Sequence, residues 1–253
     1  MNVVKVRNIE IGTGIPKICV PIVGTTKKEI LSAAAGIRSA GADVVEWRVD
    51  WYLDIFQFDK VTETLAALRE ALADIPLLFT FRTAKEGGEK DIEPNTYIEL
   101  LQKAAKSGYV DMIDAELFTG DDAIRKIIAA AHSCGVKVIL SNHDFHHTPN
   151  QQELVTRLCQ MRELGADIPK IAVMPESKKD VLTLLAATEE AAYDRLDCPI
   201  ITMSMAGTGV ISRLAGEIFG SALTFGAVGK ASAPGQIGVK DLHNVLDIIH
   251  KSI

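Results

Sequence analysis

The chain has 253 residues, of which 47% are hydrophobic and 24% charged; this is enough apolar material for one large core and excludes a disordered or fibrous protein. Lys and Arg number 27 against 33 Asp and Glu, for a formal charge of −6, and no basic block tracks a phosphate backbone, so nucleic acid is not an expected partner. No window reaches the roughly 18 to 20 consecutive apolar residues of a membrane-spanning helix, and the opening MNVVKVRNIEIGTG lacks an apolar signal core, so a cytoplasmic protein away from membranes is expected.

The leading VVKVRNIEIG alternates at period two before Gly12 and Gly14, so residues 1–16 are expected to form a hairpin closing one end of the fold. From residue 17 onward a strand–helix unit repeats eight times, with strands at 17–23, 43–49, 77–82, 110–117, 136–142, 168–174, 199–205 and 223–228. Between them apolar residues recur at helical spacing, as in Val61, Leu65, Leu68 and Leu72, in Ala123, Ile124, Ile127, Ile128 and Ala131, and in Leu242, Val245, Leu246 and Ile249. Thr26 with Glu29, and Ser177 with Asp180, have capping-box spacing, and Thr148-Pro149 fits a cap followed by a first helical residue. Eight such units in about 250 residues give an α/β fold of the (β/α)8 TIM-barrel type, expected as one domain over 1–253. Cys19, Cys134, Cys159 and Cys198 lie far apart in apolar stretches, without CxxC spacing, and read as buried reduced thiols.

Barrel strands are buried on both faces, so ionisable residues within them are costly unless paired, hydrated or at the functional rim. Alternation puts Glu46 and Arg48 on one face of strand two, Thr80 and Arg82 on one face of strand three, and Asp114 and Glu116 on one face of strand four. Most lie toward the C-terminal ends of their strands, where barrel enzymes build active sites; a structural ring of salt bridges is the alternative. Lys170 sits inside the apolar run IPKIAVM, where burial disfavours the charged form of an amine. A neutral amine attacks a ketone or aldehyde to form a Schiff base; a lysine paired with Glu46 or Asp114 across the lumen is the equal alternative.

Strand five ends in SNHDFHH, which makes His143 the natural general acid/base. The competing explanation of its three close histidines is a metal, but strand one carries no ligand and His146 and His147 fall in the loop, so none is expected. Glu86, on the Gly-flanked loop after strand three, either orients the imidazole or is a solvated loop residue. In the last two loops Arg213 is the lone arginine, and with Ser232 and Gln236 it suits a planar carboxylate at least as well as a phosphate. Met203 and Met205 share the inward face of strand seven, as an apolar wall or as plain core.

These residues stand in motifs that run along the whole chain: EWRVD at 46–50, LLFTFR followed by EGGE at 86–89, VDMID at 110–114, SNHDF at 141–145, ADIPKIAVMP at 166–175, PIITMSM at 199–205, GVISRLAGE at 209–217 and SAPGQI at 232–237. In that order and spacing the sequence resembles the type I 3-dehydroquinate dehydratases of the shikimate pathway. The resemblance implies a (β/α)8 barrel, in that family a homodimer, that removes water from 3-dehydroquinate without metal or organic cofactor. It assigns Lys170 to the Schiff base, His143 to proton transfer and Glu86 to positioning the histidine. It also assigns Glu46, Arg48 and Arg82 to the ring hydroxyls, Arg213, Ser232 and Gln236 to the carboxylate, and Met203 and Met205 to the ring, under a SAPGQI lid. Two positions depart from the family pattern: Pro21 stands where a serine is usual, and Glu176 where many members carry glutamine. The alternatives are a class I aldolase, which uses the same lysine chemistry on a C–C bond, and a barrel that binds a small acid without turnover.

Overall fold

In the computed structural model, which describes residues 2–229 and 235–253, the period-two opening forms an antiparallel hairpin. Strand β1 (Val4–Val6) pairs with β2 (Ile9–Ile11) across the Arg7-Asn8 turn. Eight parallel strands follow in chain order: β3 (Lys17–Ile22), β4 (Val44–Arg48), β5 (Leu77–Thr80), β6 (Met112–Glu116), β7 (Lys137–Asp144), β8 (Ile168–Val173), β9 (Ile201–Ser204) and β10 (Leu223–Ala227). β10 pairs with β3, and the seam between β9 and β10 closes through the parallel bridge Ile200–Ser221, beside which the Ala222 N–H donates to the Ile200 carbonyl at 2.8 Å. The result is the expected (β/α)8 barrel, with a two-residue β11 (Ile237–Gly238) set parallel to the end of β10.

The outer ring is α1 (Lys27–Ala40), α2 (Phe58–Leu72), α3 (Pro94–Lys106), α4 (Asp121–Ser133), α5 (Gln151–Glu163), α6 (Lys178–Glu190), the short α7 (Val210–Leu214) and α8 (Gly216–Phe219), and α9 (Val239–His250). Both capping boxes form: Thr26 caps α1 against Glu29, and Ser177 caps α6 against Asp180. The third expected cap moves. Asn150 caps α5 with its side chain accepting from the Glu153 N–H, while the Thr148 hydroxyl donates to the Met174 carbonyl, tying two rim loops together.

Strand alternation sorts the apolar residues into two cores. Val45, Trp47 and Val49 point outward with Phe79, Ile113 and Leu140, and meet helix stripes such as Ile124, Ile127 and Ala131 of α4. Val44, Leu78, Met112, Ile139, Ile168, Ile201 and Leu223 point inward and fill the lumen, where Val4, Val6 and Ile11 of the hairpin close its lower end. Apolar packing therefore occupies the bottom of the lumen, and the polar residues of the same strands lie above it.

The thiols are not uniformly buried. Cys19 and Cys198 are, but Cys159 is half-buried and Cys134 is exposed. Cys134 ends α4 just before Gly135, whose φ of 73° turns the chain away from the helix, so that position faces solvent with His132 and Ser133.

Pro21 lies inside β3, and the register shows how it is tolerated. Neighbouring residues of a strand turn their amides to opposite sides: the Lys17 N–H bonds Ala222 on the β10 side, and the Ile18 carbonyl accepts from Asp43 on the β4 side. Pro21 has the parity of Lys17 and faces β10, where pairing has already ended at Cys19, so no ladder bond is forfeited.

Candidate active site

At the C-terminal end of the barrel, a cavity of about 210 Å³ is lined by Glu46, Arg48, Arg82, Glu86, His143, Lys170, Met203, Met205, Arg213 and Gln236. The strand ends thus bring together every candidate named from sequence except Ser232, which lies outside the described residues together with Ala233 and Pro234 of the SAPGQI segment. Gly235 is described and sits against the Ala206 backbone, where an added Cβ would come within 2.5 Å of the Ala206 carbonyl oxygen.

Lys170 rises from β8 onto the cavity floor. Its Nζ donates to Asp114 Oδ2 at 3.1 Å and stands 4.6 Å from the centre of the Phe225 ring. The lysine is thus paired with Asp114, one of the two partners the sequence offered, and it also faces the cavity. Burial would raise the Asp114 carboxyl, but Arg82, Lys170 and the Ser141 hydroxyl outweigh that effect and hold it below the usual carboxylate range.

His143, near the end of β7, is largely buried, and its Nδ1 lies 3.0 Å from Glu86 Oε2; the same oxygen accepts the His143 backbone N–H at 2.8 Å. Glu86 is buried, which decides against a solvated loop residue. It closes a 3₁₀ turn, Ala84–Glu86, that ends on Gly87 with φ 81°, and this tight turn aims its carboxylate at the histidine. With Nδ1 engaged by a carboxylate, Nε2 is the nitrogen left to exchange a proton with a molecule in the cavity. Burial, followed by the nearby Arg82, Lys170 and Arg48 cations, holds the imidazole neutral, well below its ordinary range. Burial also lifts the Glu86 carboxyl to about 7 against the pull of Arg82.

The remaining cations sit in different surroundings. Arg82 gives Nη1 to Glu116 at 2.9 Å and Nη2 to Asp114 at 2.8 Å, and Arg48 forks onto both oxygens of Asp50 at 2.8 Å each. A ring of buried ion pairs and a lined cavity coexist here, with Arg82 as the shared member. Arg213, on α7, is buried beside Met203, its Nη1 3.7 Å from the thioether sulfur, and burial lowers its guanidinium to about 10. Glu46 accepts from the Thr80 hydroxyl at 2.8 Å. The departure at Glu176 is exposed and away from the cavity lining, its N–H given to Asp180.

The sequence reading omitted Phe145, Phe225, Ala172 and Gly87 from this lining. For Phe225 a signal existed, since Leu223 and Phe225 share the inward parity of their strand. Phe145 lies beyond the end of β7, where no periodicity survives to place it.

An amine on the floor, a neutral histidine backed by a carboxylate and a buried guanidinium on α7 suit covalent addition to a carbonyl followed by proton transfer on an anionic molecule. Known proteins resemble the chain over its whole length. A family model for type I 3-dehydroquinase matches residues 18–253. The 3-dehydroquinate dehydratase of Salmonella typhimurium is 56% identical over 252 residues, covering all of both chains. That of Clostridium botulinum is 54% identical over 100% of this chain and 99% of its own. The crystal structure of the type I 3-dehydroquinate dehydratase from Clostridium difficile with covalently modified comenic acid superposes with a TM-score of 0.98, at 56% identity over 100% and 99% of the two chains. With the match entering at the first barrel strand and running through every rim loop, the chain belongs to the type I 3-dehydroquinase family.

Proposed function

We propose that the chain dehydrates 3-dehydroquinate to 3-dehydroshikimate through a Schiff base on Lys170. The observation that carries this reading is that Lys170 Nζ and the His143–Glu86 pair face one small cavity, so that one ligand meets both. Attack requires the ion pair with Asp114 to open, because only the neutral amine has a lone pair to give. The amine adds to the ketone carbon and water leaves, giving an iminium that acidifies the adjacent C–H. His143 Nε2 removes that proton, the resulting enamine expels the β-hydroxyl, and the proton held by His143 goes to the departing oxygen. Water then hydrolyses the iminium, freeing product and lysine. Glu86 accepts the Nδ1 hydrogen and so keeps the reactive nitrogen toward the ligand.

In the same proposal the carboxylate of the ligand lies against Arg213 and Gln236, with Ser232 as a further partner. Its hydroxyls lie against Glu46, Arg48 and Arg82, and Met203 and Met205 form the apolar wall. No step requires a metal or organic cofactor. Homodimer formation and a cytoplasmic setting are taken over from the sequence reading; no described helix is long and apolar enough to cross a membrane.

The test is borohydride reduction with and without 3-dehydroquinate, read by intact mass and peptide mapping. A substrate-dependent amine adduct on Lys170, absent from Lys170→Ala, is expected. Dehydration without an adduct would discard the Schiff base. Turnover of sugar phosphates with none of dehydroquinate would move the chain to aldolase chemistry, and binding without any turnover would leave a small-acid carrier.

A further inference from the structure

The two oxygens of Glu86 are held differently. Oε2 takes the His143 backbone N–H, lies 3.0 Å from His143 Nδ1 and stands 3.5 Å from Arg82 Nη1. Oε1 accepts from Asn142 Nδ2 at 3.3 Å. A carboxylate fixed through one oxygen swings about its last bond, so the Asn142 contact is what sets the plane of the group toward the imidazole. An asparagine amide fits its site either way round, however, and the flipped form would set oxygen against oxygen at Glu86.

Arg157 decides which way round it lies. From α5 its Nη1 donates to Asn142 Oδ1 at 2.7 Å, which anchors the amide oxygen on a cation and turns Nδ2 to Glu86. The arginine is itself held, with Nη2 on Glu153 one helical turn away and the guanidinium 5.4 Å from the centre of the Phe118 ring. It belongs to a neighbouring cavity of about 470 Å³ that shares Glu86, His143 and Phe145 with the Lys170 cavity but is not lined by Lys170, so it reaches the pair from another side than the lysine does.

We propose that Arg157 is a positioning residue for the reaction, acting through Asn142 to hold the Glu86 carboxylate on His143 Nδ1. The inference rests on the reading of His143 as the base. The other charged groups facing the pair are Arg48 from β4, Arg82 beyond β5, Glu116 from β6 and Lys170 from β8, and Arg157 works on the pair by geometry rather than by joining that set.

The test is a double-mutant cycle on kcat and KM for dehydration, with Arg157→Met, Asn142→Ala and the pair together. Each single variant is expected to lose about tenfold in kcat with KM within about twofold, and the double variant to be no slower than Asn142→Ala alone. The acid limb of kcat/KM moves to higher pH in all three, because the ionised Glu86 has lost an N–H donor. A merely structural arginine would lower the melting temperature, leave the limb in place and multiply with Asn142→Ala, and that result overturns the proposal, as does wild-type kcat in Arg157→Met. Should the methionine variant not fold, Arg157→Lys, which removes the fork but keeps the stem, completes the cycle. The NMR shift of the His143 Nδ1 proton reads the same contact without turnover: it moves in Arg157→Met if the proposal holds and stays if it does not, even were the wild type inactive on dehydroquinate.

Discussion

Lys170 Nζ lies 3.1 Å from Asp114 Oδ2, and the other oxygen of that carboxylate takes Arg82 Nη2 at 2.8 Å and the Ser141 hydroxyl at 2.6 Å. One buried anion thus serves two buried cations; removing it strands Lys170 and leaves Arg82 to Glu116 and Glu86. Asp114→Ala is expected to cost about 3–5 kcal/mol in urea unfolding, the range for orphaning a buried charge. Lys170→Met should cost clearly less, because Asp114 keeps Arg82 and Ser141. Equal losses in the two variants would show that Arg82 does not hold the carboxylate on its own.

The Glu86 carboxyl, lifted to about 7 by burial, is expected to set the acid side of the activity profile. Only the ionised form accepts the Nδ1 hydrogen, so kcat/KM is expected to fall by about tenfold per pH unit below about pH 7. In Glu86→Gln that limb disappears and kcat at pH 8 drops by about 10–100-fold. Stability runs the other way. A carboxyl that binds its proton more tightly folded than unfolded contributes stability that is complete below the ordinary carboxyl range and lost as pH climbs through about 7. Urea unfolding at pH 5 and pH 8 should therefore show Glu86→Gln gaining on the wild type at the higher pH. A constant difference would place the carboxyl titration outside that window.

What the sequence disclosed, and what it withheld, follows from the physics of barrel strands. Glu46, Arg48, Arg82, Asp114 and Lys170 stood out because a charge inside a two-sided buried strand needs a reason, and parity alone gave them a common face. Eight repeats fixed the barrel, and alternation in VVKVRNIEIG fixed the hairpin. The sequence left Lys170 between partner and nucleophile because pairing across the lumen depends on which strands face one another at one height, a matter of stagger that no local pattern records. Asn142 and Arg157 went unnoticed for a related reason. Their contact joins a strand end to the helix that follows it, and neither residue breaks its local pattern.

Gly87 carries the turn that aims Glu86, at φ 81°, and its missing Cβ leaves room for Phe145: an added carbon would stand 2.3 Å from Cε2 of that ring. Gly87→Ala combines left-handed strain of about 1–2 kcal/mol with displacement of a ring that lines both cavities. The expected result is a lower melting temperature together with at least a tenfold loss in kcat, since a shift of about 1 Å in a positioned group suffices for more than that. Wild-type kcat would show that Phe145 moves aside without disturbing the carboxylate.

At the opposite end of the lumen, Ile11 is fully buried against the inward layer that contains Cys19, Val44, Leu78 and Ile201. Ile11→Ala removes a side chain from a site packed by the hairpin and the barrel wall, and the expected loss is about 2–5 kcal/mol of unfolding free energy. The inward apolar layer separates this plug from Lys170 and the ion pairs above it, so kcat and KM at a temperature well below the new melting point should match the wild type. A fall in kcat without unfolding would mean that the hairpin transmits its position through the lumen to the lysine, and the lower layer would then belong to the active site as a support rather than to the fold alone.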